Sequence, residues 1–76
     1  LARGGGEVVP LYLAIRQLPA GESHAIRVQV PEGRKRLSYI KQQLRKRAKR
    51  DGIMILSSRN AESTLAWFWW MKDQPL

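Results

Sequence analysis

At 76 residues the chain has room for a single domain, and a domain of that size buries only roughly 60% of the surface its unfolded form exposes. With no cysteine and one histidine, His24, it offers neither a disulfide framework nor a thiolate metal site, and the lone imidazole cannot assemble a zinc centre with the carboxylates on hand. A formal charge of +8 makes self-repulsion a standing cost that a polyanion relieves, which puts nucleic acid first among the expected partners.

Residues 1–7, LARGGGE, carry three consecutive glycines and no periodicity, so they read as a flexible arm; its Arg3 is placed to enter a minor groove as other basic arms do. The first apolar run, 8–15, contains Pro10 and follows glycines rather than a basic start, so it does not read as a signal peptide. Within it Leu11, Leu13 and Ile15 alternate with Tyr12, Ala14 and Arg16, the two-residue rhythm of a strand, with a short helical turn as the competing reading. Leu18, Pro19, Ala20 and Gly21 then suit a tight turn.

Ile26, Val28 and Val30 point one way and Arg27 and Gln29 the other, a second strand that should pair with the first as a hairpin. Pro31, Glu32 and Gly33 break the sheet. From Arg34 to Arg50 the sequence RKRLSYIKQQLRKRAKR holds Leu37, Ile40, Leu44 and Ala48 within one arc of a 3.6-residue repeat, with Lys35, Gln42, Lys46, Lys49 and Arg50 opposite. The helix lacks a strong N-cap and places Arg34, Lys35 and Arg36 where the macrodipole disfavours them, while Gly52 is suited to a left-handed C-cap. Ile53 to Leu56 reads as a short strand, residues 60–63 as a polar bend, 64–71 as a last strand and 73–76 as a tail. In the last strand both faces are apolar: Leu65, Trp67, Trp69 and Met71 on one, Ala66, Phe68 and Trp70 on the other. Trp67, Trp69 and Met71 are expected to cover the helix. Phe68 and Trp70 are then left to stack on unpaired bases, form a homodimer seam or lie under the N-terminal segment.

Nine of the 14 Lys and Arg residues fall in the helix (Arg34, Lys35, Arg36, Lys41, Arg45, Lys46, Arg47, Lys49 and Arg50), and Asp51 is the only acid between Glu32 and Glu62. A charged run is often only a solvated helix face, but a block of like charge with so little acid to offset it is better accounted for by phosphates. Lys35, Lys46, Lys49 and Arg50 are the leading expected contacts, with Arg34, Arg45 and Arg47 beside them and Tyr39 and Gln42 as hydrogen-bonding groups between the cations. Ser23 and His24 are adjacent and no acid pairs with them recognisably, so no nucleophilic triad is expected. No P-loop is present, because Gly4 to Gly6 lack a following Lys-Ser or Lys-Thr. Neither enzymatic activity nor a cofactor is expected.

The order of Leu18-Pro19 and Gly21-Glu22-Ser23, an apolar strand ending in Val30-Pro31, a basic helix and a tryptophan-rich closing hairpin resembles small basic proteins encoded by bacteriophages and other mobile elements. The resemblance implies a nucleic-acid-associated role in a host-cell cytoplasm; transcription regulation is an expectation from the basic helix. The expectation is a small α+β domain, 8–72, of order β-β-α-β-β with the helix packed across a mostly antiparallel sheet. Its expected function is binding nucleic acid, DNA before RNA and the duplex before the single strand, with homodimerisation an open option. The rival is a protein-interaction module docking on an acidic host surface; a membrane-surface role ranks last, because the helix's narrow apolar stripe is needed for the core.

Overall fold

The computed structural model describes residues 5–72 as two helices and a three-stranded antiparallel sheet, an α+β fold. In chain order these are α1 (Gly5–Gln17), a single 3-10 turn (Glu22–His24), β1 (Ile26–Gln29), α2 (Arg34–Asp51), β2 (Ile53–Arg59) and β3 (Leu65–Lys72). Arg3 and residues 73–76 lie outside the described residues. The last three residues of the expected arm, 5–7, belong to α1.

The expected first strand is a helix, so the order is α-β-α-β-β and the hairpin between residues 11–16 and β1 does not exist. Val8, Tyr12 and Ile15 are buried and Leu11 packs against them, whereas Leu13 is 55% exposed. Spacings of three, four and seven residues place those four side chains on one helical face. The apparent alternation of Leu11, Leu13 and Ile15 coincided with that repeat at two of its three positions. Pro10, in the second turn of α1, has no N–H and so forfeits the helix bond to the carbonyl of residue 6.

β1 instead pairs with β3, which lies at the centre of the sheet in the order β1-β3-β2. The β1 ladder extends to Val30, whose N–H donates to the Thr64 carbonyl at 2.7 Å. α2 matches the expected helix with Asp51 added. Its Leu37, Ile40, Leu44 and Ala48 are all buried, and Gly52 takes φ 73° and ψ 30° as the left-handed cap. In the β2–β3 turn the Asn60 Oδ1 accepts from the N–H groups of Thr64 and Leu65 at 2.9 and 3.1 Å, and its Nδ2 donates to Thr64 Oγ1 at 3.0 Å. This side-chain clamp holds Ser63 at φ 61°, a left-handed conformation few residues adopt without such support.

The two faces of β3 are the reverse of the expected assignment. Ala66 and Phe68 are buried, Phe68 completely, and Trp70 packs against the same core; Trp67, Trp69 and Met71 stand on the far side of the sheet. Register explains the difference. Val28 lies opposite Ala66, Ile26 opposite Phe68 and Ile55 opposite Trp70, and directly paired residues in an antiparallel ladder share a face. The aliphatic residues of β1 and β2 therefore bring the even-numbered residues of β3 under α2. Phe68 is thus neither a stacking nor a dimer residue, and Trp70 is held in place: its indole N–H donates to the Leu18 carbonyl at 2.8 Å, and the Arg16 guanidinium lies 4.8 Å above its ring.

This assignment gives a direct test by urea unfolding followed by circular dichroism. Phe68→Ala should cost about 3–5 kcal/mol, enough to unfold much of so small a domain, whereas Trp67→Ala, at a site half-buried on the far face, should cost about 1–2 kcal/mol.

Candidate nucleic-acid interface

α2 is 18 residues long, about 27 Å at 1.5 Å per residue, and its buried stripe fixes which side faces outward. Arg34, Lys35, Gln42, Arg45, Lys46, Lys49 and Arg50 are exposed, and Lys41 and Arg47 are half-buried. Ser38, Lys41, Gln42, Arg45, Lys46 and Lys49 line one shallow, open depression along the outer surface of the helix. Their spacings of three and four residues set the cations in adjoining rows, with Lys41, Arg45 and Lys49 in one and Gln42 and Lys46 beside it.

Of the expected contacts, Gln42, Arg45, Lys46 and Lys49 lie together along this depression, while Arg34, Lys35 and Arg50 are exposed on the helix outside it. Tyr39 is half-buried and packs against the core, with the Arg36 guanidinium 5.3 Å from the centre of its ring. Arg47 is half-buried at the flank of the buried arc, where the helical repeat places it. Lys41 was not among the expected contacts, although its position four residues before Arg45 places it in the same row.

Among the described residues, no ion pair joins Arg34, Lys35, Lys41, Arg45, Lys46, Arg47, Lys49 or Arg50 to a carboxylate. Asp51, the acid closest in sequence, is engaged elsewhere. Its Oδ2 accepts from the Tyr12 hydroxyl at 2.5 Å and lies 3.5 Å from Arg16 Nη1, which also approaches the Tyr12 oxygen at 3.3 Å. The group joins the C-terminal turn of α2 to α1, and Arg16 carries the link on to Trp70. A carboxylate is unfavourable at a helix C-terminus; the hydroxyl and guanidinium of α1 offset that placement. Sequence reading missed this cluster because it depends on α1 being a helix, which puts Tyr12 and Arg16 one turn apart.

No described cluster of three or more His, Cys, Asp or Glu side chains could hold a metal ion. No described helix is long and apolar enough to cross a membrane. Comparison with protein-family models, curated proteins and solved structures finds no match.

Burial raises the Tyr12 pKa above its ordinary 10.0; the hydrogen bond to Asp51 adds to the rise, while Arg16 acts against it. The folded chain therefore holds this proton more tightly than the unfolded chain does. The stability it contributes is complete below about pH 10 and is lost as the pH climbs through the folded value. Denaturant titrations at increasing alkaline pH should show unfolding free energy falling beyond that point, with a shallower fall in Tyr12→Phe.

Proposed function

We propose that this protein binds nucleic acid, double-stranded DNA foremost, through the outward side of α2. The observation that carries this reading is a helix about 27 Å long whose exposed cations are unpaired with described carboxylates while its opposite side is committed to the core. Holding like charges at neighbouring helix positions raises the energy of the free protein, and binding to phosphates releases that energy together with the counterions condensed on the polyanion. Lys35, Lys41, Arg45, Lys46 and Lys49 act as phosphate contacts, and Gln42, exposed among them, is the residue able to reach a base edge. The setting consistent with this reading is a cytoplasm, in keeping with the resemblance to mobile-element proteins.

Fluorescence anisotropy with a labelled duplex across a salt series tests the proposal. Neutralising about five phosphates should give a log–log slope of roughly −4 to −5, and Lys46→Ala with Lys49→Ala should reduce its magnitude by about 2. Lys72→Ala, at the end of β3 and off the helix, should leave the slope nearly unchanged. Binding that is flat in salt, or equally reduced by all of these changes, rejects the helix as the interface. The rival reading, docking on an acidic host protein, draws on the same cations; it would be favoured by capture of one host protein that survives nuclease treatment while duplex binding is absent.

A further inference from the structure

β2 is an edge strand: in the order β1-β3-β2 only β3 pairs with it. The ladder fixes which of its backbone groups are left over. Val30 donates to the Thr64 carbonyl and Asn60 to the Leu65 carbonyl, so the even-numbered residues of β3 bond to β1 and the odd-numbered ones to β2. Register then commits the N–H and C=O groups of Met54, Leu56 and Ser58 to β3. Those of Ile53, Ile55 and Ser57 turn to the free edge, where no described group pairs with them. Beside that edge runs a groove lined by Arg45, Ala48 and Lys49 of α2 and by residues 53–56 of β2. Apart from Arg45 and Lys49 its side chains are apolar, and those two cations are exposed without a described carboxylate partner.

We propose that this edge takes up an extended peptide segment in which acidic and apolar residues alternate, adding a fourth strand to the sheet. The outward backbone groups supply the ladder, and the side chains on either face set the sequence that is accepted. Residues of the added strand opposite Ile53, Ile55 and Ser57 share their face, which is the face of α2. Successive ones lie ~6.8 Å apart, against ~6 Å along the helix from Arg45 to Lys49, so carboxylates at every second position meet one cation each. The residues between them fall beside Met54 and Leu56 and are apolar.

The same charges decide against the other occupants. Two-fold pairing of β2 with β2 of a second copy keeps both helices on one side of the joined sheet and brings Arg45 and Lys49 of each copy to one seam. Cations beside an open edge guard against such self-pairing, whereas an acidic strand is drawn to them. A nucleic-acid strand answers the cations but has no run of alternating N–H and C=O groups to meet the edge. The site shares Arg45 and Lys49 with the surface proposed for nucleic acid but does not depend on that reading.

Fluorescence anisotropy on the full chain without nucleic acid, using a labelled peptide of about ten residues that alternates Glu with Val, tests the proposal. Binding should saturate below about 1 mM, and amide exchange followed by NMR should slow at least ~10-fold at Ile55 and Ser57 with little change at Met54 and Leu56. Arg45→Glu with Lys49→Glu should raise the peptide Kd at least ~10-fold and create binding to the same peptide with Lys in place of Glu. Arg27→Glu, on the opposite edge strand, should leave the Kd within about twofold. Ser57→Pro removes one outward N–H while keeping the bonds of β2 to β3, and should weaken binding several-fold. Each variant should keep the wild-type circular dichroism spectrum. Absence of binding at about 1 mM overturns the proposal, as does unchanged exchange at Ile55 and Ser57. So does equally tight binding of a peptide with the same residues but its Glu side chains in one block, which would mark the groove as a general anion surface.

Discussion

The fold turns on one shared core in which the buried stripe of α2 and the ring of Phe68 are sealed with side chains of α1, β1 and β2. Leu37, Ile40, Leu44 and Ala48 have no exposed surface to speak of, and Phe68 at the centre of the sheet has none. Once that core is closed, the rest of the layout follows from period alone. A stripe spaced by three and four residues sends the cations of α2 outward, and the two-residue period of β3 sends Trp67, Trp69 and Met71 to the opposite side of the sheet. Both outer surfaces are consequences of a core that could stand without either of them.

How much of this was legible in the sequence depended on how many neighbours each element required. α2 carries its signal internally: four apolar positions in one arc, a glycine at its end and an unbroken run of helix-tolerant residues, so its limits were readable to within a residue. β1, β2 and the polar turn clamped by Asn60 were also local signals. α1 was not, because a glycine-rich entry and Pro10 resemble breakers, and Leu11, Leu13 and Ile15 satisfy an alternation as well as part of a helical repeat. The inward face of β3 was hidden for another reason. A central strand is apolar on both sides, so nothing within it says which side meets the helix; only its register with Ile26, Val28 and Ile55 decides. The outward cations of the candidate interface were readable because the helix was. The part of the interface that depended on tertiary contact, the withdrawal of Tyr39 onto the core, was not.

The Tyr12, Asp51 and Arg16 cluster shows how a domain with a thin core holds its second helix. α1 contributes Val8, Tyr12 and Ile15 to the buried set, but burial is not directional and does not by itself fix the angle at which α1 lies. The hydroxyl and guanidinium on Asp51, the guanidinium over Trp70 and the Trp70 indole on the Leu18 carbonyl supply direction. They also occupy the one acid within α2, which would otherwise be free to pair with Arg47 one turn back. The contact that anchors α1 thus also leaves Arg47 without its helical neighbour's charge.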